Sequence, residues 1–389
     1  MKIRYLAILL ALSFYWVSPA HADPQGAAAP TKVDGQNSSG VPQRSDEFWS
    51  ADDANQPPTA IPPAASDESG SDRGLPSTKM TYPKWHQLKN PQPLSPLDQN
   101  PAFHYRFKAG NGSIVDLVVT ELNSPTWQLK PSLVDSVAVP AAKGEQDGAT
   151  VTVNGGYFNM KDRESISYVI VDGKMVLDPG SSGAILKVVR PGEFPETILN
   201  RSEMRVLVGN DGKNVFDVAQ HNVDVPKGLK LQHSLQAGPN LLTPDGKFDE
   251  AALTKEGFIK EVGGKKVDSI NAFGPDARTA VGVTDDGFVL IACVADRKHD
   301  PQSIGLSLKD LAEMMHDLGC VKSVNLDGGG STSMFVRHRS LKADPERLEP
   351  GETACANHPE RPVKSFLELK HSLLNAKPDT SEKRDIPAS

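Results

Sequence analysis

The chain has 389 residues, 38% of them hydrophobic, with 32 glycines, 31 prolines and a formal charge of −7. That is enough apolar content for one large domain or two ordinary ones. Residues 23–78 hold nine acidic and three basic side chains, which leaves the rest near neutral and offers no basic face for nucleic acid or an anionic membrane.

Residues 1–22 set Lys2 and Arg4 before an apolar run at 6–17 and close on Ala20-His21-Ala22, with small residues where a signal peptidase reads. The run falls short of the roughly 20 apolar residues of a membrane span. A cleaved signal peptide is therefore expected, with a mature chain that has no membrane span and a periplasmic or extracellular location. Residues 23–95, rich in Pro, Ser, Ala and Asp, read as a disordered linker, because so few large apolar side chains cannot offset the entropy of ordering. A folded domain is expected over 96–375 and a loose polar tail over 376–389. The three cysteines are too few and too scattered for a disulfide framework or a zinc site. Cys293 lies in an apolar run and reads as a buried small hydrophobe, leaving Cys320 and Cys355 as the candidate bridge.

Within the domain, short β-type runs alternate with turn signals. Strands are expected at 104–107, 113–121, 127–134, 150–153, 168–171, 174–177, 184–189, 204–208 and 288–294, with hairpin turns at Gly110-Asn111-Gly112, Asp172-Gly173 and Asp285-Asp286-Gly287. Residues 307–318 are the strong helix: Ser307 caps it with Asp310 three residues on, Leu308, Leu311, Met315 and Leu318 keep the 3.6 period, and Gly319 ends it. A strand, this helix and the apolar run 321–326 suggest a crossover that sets Asp327 at the carboxyl end of a central strand. The expected class is α+β: a single domain of short, mostly antiparallel or mixed strands with few helices.

The stretch 321–334, VKSVNLDGGGSTSM, puts polar chemistry where a strand ends. Gly328, Gly329 and Gly330 can turn amide N–H groups toward an anion, with Ser331 and Thr332 as further donors; the same residues also suit a glycine-rich turn. Thr152-Val153-Asn154-Gly155-Gly156 repeats the pattern of strand, asparagine and glycine pair, and reads as a second strand-end turn rather than a duplicated half.

Taken in order, NGGYF at 154–158, QAGPNLL at 236–242, RTAVG at 278–282, GLSLKDLAEMM at 305–315, NLDGGGSTSM at 325–334 and ERPV at 360–363 resemble the phosphodiester glycosidase family across roughly residues 100–375. The resemblance implies an exported hydrolase that cleaves a sugar-1-phosphate diester on the sugar side, with a glycan or sugar phosphate of the cell envelope or an exopolysaccharide as substrate. A departing phosphate monoester is a weak base, with a second pKa of about 6, so the site needs a cationic clamp and a carboxylate near the anomeric carbon more than a strong acid. Arg278 and Arg361 are the clamp candidates, each with a plain ion pair as its alternative, Arg361 with Glu360. Asp327 is the first candidate carboxylate, followed by Glu360 and Asp276. Asp327 alternatively suits Ca²⁺ or Mg²⁺, the one cofactor the sequence suggests. Asn154 and Asn240 are placed for sugar hydroxyls, and Tyr157 or Phe158 for stacking on a sugar or plugging the core. The competing reading is a non-catalytic carbohydrate- or peptidoglycan-binding module on the same fold.

Overall fold

The computed structural model describes residues 81–95, 101–181, 183, 185–186, 195–262, 264–338 and 350–372. The expected signal peptide, most of the expected linker and the expected tail lie outside them. The first half comprises β1 (Gln92–Pro93), β2 (Phe103–Lys108), β3 (Ile114–Glu121), β4 (Trp127–Ala138), α1 (Pro140–Asp147), β5 (Val151–Asn154), β6 (Val169–Val171), β7 (Lys174–Leu177) and α2 (Pro195–Leu199). Next come β8 (Ser202–Gly209), β9 (Asn214–Gln220), β10 (Leu229–Gln236), α3 (Glu250–Lys255), β11 (Ile259–Val262) and β12 (Lys265–Asp268). The last part holds β13 (Arg278–Thr284), β14 (Phe288–Val294), α4 (Leu308–Leu318), β15 (Cys320–Asn325), β16 (Ser333–Val336), β17 (Glu352–Ala356) and β18 (Val363–His371). This is the expected α+β class: antiparallel ladders dominate and helices are few.

The central layer is a six-stranded sheet in the order β1-β2-β3-β14-β13-β15. Its inner strands β3, β14 and β13 are buried on both faces, and the period of two sorts their side chains into two cores. On β14, Val289, Ile291 and Cys293 join one cluster, while Leu290, Ala292 and Val294 join the other. The first cluster packs against two five-stranded sheets, ordered β7-β6-β10-β8-β9 and β17-β16-β5-β18-β4. The second packs against α4, whose Leu308, Leu311, Met315 and Leu318 are fully buried. Burial of each such side chain contributes about 1.5–3 kcal/mol. Ser307 caps α4 as expected, its hydroxyl accepting from the Asp310 N–H at 3.1 Å.

Four expectations change. Both β14 and β15 run antiparallel to β13, so α4 does join two parallel strands; β15, however, lies at the end of the sheet rather than its centre. The exposed Val321 and Lys322 are the side-chain signature of that edge position. The packed chain begins ahead of residue 96, since the Trp85 ring packs tilted against Phe288 with centroids 4.6 Å apart and Leu94 is buried. Of the strand expected at 184–189 only residues 185 and 186 are described, and they are helical. All three cysteines are free and buried; Cys320 sits in the core facing α4 and Cys355 in the opposite one, so the sheet separates the pair expected to bridge.

Candidate active site

Antiparallel pairing brings the start of β13 beside the end of β15, with Ala280 opposite Asn325, and the end of β5 comes to the same place. There the two glycine junctions meet: Asn154 Nδ2 donates to the Asp327 carbonyl at 2.5 Å and the Asp327 N–H donates to the Gly155 carbonyl at 3.0 Å. A cavity of about 520 Å³ opens over this junction, lined among others by Tyr157, Arg201, Phe258, Asp276, Arg278, Asp327, Gly328, Gly329, Gly330 and Arg361. Sequence reasoning had named eight of these ten.

Asp327 lines the cavity beside the glycine loop. Burial pushes its carboxyl up to about 6, against the opposing pull of a hydrogen bond from Ser331, the Arg361 charge and the Gly328 N–H. Arg361 Nη1 donates to Ser331 Oγ at 3.4 Å, so guanidinium, hydroxyl and carboxylate form a short relay. Asp276 stands across the loop, its Oδ1 taking the Ala277 N–H at 2.9 Å and its carboxylate facing Gly329.

The glycine loop is not the open amide cradle expected. The Gly328 N–H is taken by Asp327 Oδ1 at 2.9 Å and the Gly329 N–H by the Ala277 carbonyl at 2.8 Å, while the Ser331 and Thr332 N–H groups close a tight 3₁₀ turn on Gly328 and Gly329. What the glycines do supply is room. A Cβ on Gly330 would lie 2.5 Å from Arg361 Nη2, so the guanidinium rests directly on the backbone.

Arg278 lines the cavity yet is only 2% exposed and is consumed by carbonyls: Nε donates to Leu306 O at 2.9 Å, Nη1 to Ile270 O at 2.9 Å, and Nη2 to Asn271 O at 2.6 Å and Gly274 O at 3.1 Å. With no bidentate fork left to offer, it supplies charge and positions the loops, and burial lowers its pKa. Glu360 does not line the cavity. It accepts from Ser333 Oγ at 2.5 Å and from the Ala141 N–H at the start of α1, so it anchors a helix rather than pairing with Arg361.

Asn154 is fully buried, its Oδ1 accepting from Thr279 Oγ1 at 2.7 Å and the Ser333 N–H at 3.1 Å; Asn240 donates to Leu242 O and Asp249 Oδ2. Both tie elements of the fold together, and neither lines the cavity. Gly155 and Gly156 are packed against Ser365, Ser167 and Gln236, and Thr332 is buried behind the loop, its carbonyl bonded to His299 Nε2 at 3.0 Å. Of the two aromatics, Tyr157 faces the cavity, its hydroxyl donating to Gly238 O at 3.0 Å, while Phe158 pairs with Ser165.

Sequence reasoning missed Arg201, which lies over the Phe258 ring at 4.0 Å and within 5.3 Å of Tyr157, its Nε donating to Glu256 O at 3.1 Å. It also missed Lys260, Asp268 and Asn271, which the β11–β12 hairpin and the turn after it bring to the rim. No turn or periodicity signal near Arg201 marks it as a site residue. Among the described residues, no group of three or more His, Cys, Asp or Glu side chains is arranged to hold a metal ion.

The model of the family described as phosphodiester glycosidase matches residues 147–369. The mouse N-acetylglucosamine-1-phosphodiester alpha-N-acetylglucosaminidase is 29% identical over 221 residues, which is 56% of this chain and 36% of the relative, so the chain spans about a third of that protein's length. Among solved structures, the catalytic domain of the zebrafish N-acetylglucosamine-1-phosphodiester alpha-N-acetylglucosaminidase, auto-inhibited by its pro-peptide, is 18% identical with a TM-score of 0.46, covering 72% of this chain and 87% of that one. A hypothetical protein from Synechocystis is 15% identical with a TM-score of 0.46, covering 69% and 61%. The family match takes in both glycine junctions, Arg278 and Arg361, and it extends over more than half of the chain: the protein belongs to the phosphodiester glycosidase family.

Proposed function

We propose that the chain hydrolyses a glycosyl phosphodiester of an envelope or extracellular glycan, with ionised Asp327 acting at the anomeric carbon and Arg361 and Arg201 holding the phosphate. One observation carries this reading: a partly buried carboxyl raised to about 6 is linked through Ser331 to the Arg361 guanidinium in a cavity lined by further cations. The bond from the anomeric carbon to the phosphate oxygen breaks with its electron pair going to the phosphate. Water supplies hydroxyl to the sugar, and the products are a free sugar and a phosphomonoester. Whether Asp327 takes a proton from that water or bonds to the carbon first, it works ionised, so kcat/KM rises as pH rises through about 6.

The test is turnover of aryl sugar-1-phosphate diesters by purified protein, with and without chelator. Asp327→Asn is expected to lower kcat/KM by about 10³-fold and to erase the inflection near pH 6. An unchanged rate in this variant defeats the assignment of Asp327. Glycan binding by a wild type that releases no sugar from any such diester replaces hydrolysis with the binding-module reading.

A further inference from the structure

The β11–β12 hairpin and the turn after it form a rim element that the chemistry above leaves unused. Phe273 stands on this turn with 47% of its surface exposed, and the Lys266 ammonium of β12 lies 4.9 Å from its ring centroid. Among the described residues, Phe273 is the one aromatic among the exposed large hydrophobic side chains. This loop is held from both sides. Asp268 accepts the Ile270 N–H at 3.1 Å and the Ala272 N–H at 2.7 Å, while the buried Arg278 guanidinium binds the carbonyls of Ile270, Asn271 and Gly274. Asp268, Ile270 and Asn271 also line the cavity, which sets Phe273 two residues from its wall. A buried arginine and a carboxylate thus fix a short turn whose tip offers an aromatic face and a cation to solvent beside the pocket.

We propose that Phe273 and Lys266 form a second subsite that stacks a pyranose ring of the substrate beyond the scissile phosphate, so that the substrate is an oligomer of sugars joined by phosphodiesters rather than a small sugar phosphate. This rests on the hydrolytic reading above and names its substrate class. The C–H face of a pyranose is apolar and complements an aromatic face. A phosphodiester-linked glycan also carries one negative charge per repeat, matching exposed Lys265 and Lys266. Because the turn is already rigid, docking orders little further chain.

Calorimetric titration of the full chain in an Asp327→Asn background, where turnover does not consume the probe, separates the outcomes. The probes are a synthetic trimer of hexopyranose units joined by phosphodiester links and the corresponding methyl hexopyranosyl phosphodiester. Phe273→Ala is expected to weaken the trimer about tenfold and the small diester less than twofold, with Phe273→Trp restoring trimer affinity. Lys266→Ala is expected to weaken the trimer a few-fold and flatten its salt dependence. Equal loss on both probes, no loss on the trimer, or a trimer bound no tighter than the small diester overturns the subsite. Phe273-dependent trimer binding without sugar release from either probe by the wild type sinks the hydrolytic reading alone. Release with equal kcat/KM for trimer and small diester in wild type and Phe273→Ala sinks the subsite alone.

Discussion

At 154–156 and at 327–330 the chain writes nearly the same local sequence at two strand ends, and the two junctions are hydrogen-bonded to each other. The first is sealed. Asn154 spends its amide on three partners, and added Cβ atoms at Gly155 and Gly156 would meet Ser365 at 2.6 Å and the Gln236 carbonyl at 2.3 Å. The second opens on the cavity, where a Cβ at Gly329 would find nothing nearer than Asp276 Oδ1 at 3.7 Å. Glycine at the first junction admits neighbouring backbone; at the second, Gly330 admits the Arg361 guanidinium and Gly329 leaves space toward the cavity. The same two or three residues therefore say where a strand stops, and the surrounding sheets decide whether the stop is mortar or site.

Variants at the two junctions test that contrast. Gly156→Ala is expected to have the largest effect, a loss of about 3 kcal/mol or more, because backbone must move to admit the methyl group; a melting temperature within a degree or two of wild type would mean the first junction is not sealed. Asp327→Asn should move stability the other way. A carboxyl whose folded pKa is raised from 3.8 to about 6 takes up protons on folding, so its charge opposes folding by an amount that grows from pH 4 to pH 6 and then holds. The asparagine variant is thus expected to be up to about 3 kcal/mol more stable than wild type at pH 7 and equal to it below pH 4, as read by denaturant titrations at both pH values. Gly329→Ala, at φ 56°, is expected to cost about 1 kcal/mol in stability while reducing turnover more strongly, since the methyl group points toward the cavity. Smallest is Glu360→Gln: burial raises this carboxyl's pKa as well, so removing its charge offsets the weakened bonds to Ser333 and Ala141, and stability is expected to stay within about 1 kcal/mol and kcat/KM within twofold of wild type.

The residues that could be read from sequence were those whose roles are set within a few positions. Ser307 and Asp310, the Asp285-Asp286-Gly287 hairpin and the end of β15 just before Asp327 all follow from local capping, turn and period rules, and the structure has them. Arg278 was legible as a site residue but not in its manner. Its guanidinium meets carbonyls of Ile270, Asn271, Gly274 and Leu306, and nothing in RTAVG announces that those oxygens will take four of its five N–H donors. Asn154 failed likewise, because its partners Thr279, Asp327 and Ser333 are more than 120 residues away in the chain. Arg201 and the 259–274 rim were illegible for a related reason: a hairpin of mixed lysines and valines carries no chemistry until folding sets it beside Asp327.

The three buried thiols turn the two cores into separate gauges. Burial raises the pKa of Cys293, Cys320 and Cys355, so each is protonated and inert toward alkylating reagents while its surroundings stay closed. Reaction then waits for an opening event, and under fast reclosing its rate reports the free energy of that opening. Cys320 registers the layer against α4, and Cys293 with Cys355 the layer against the two outer sheets. Thiol labelling followed by mass spectrometry therefore times the loosening of each side of the central sheet in the unmodified chain, with no probe introduced.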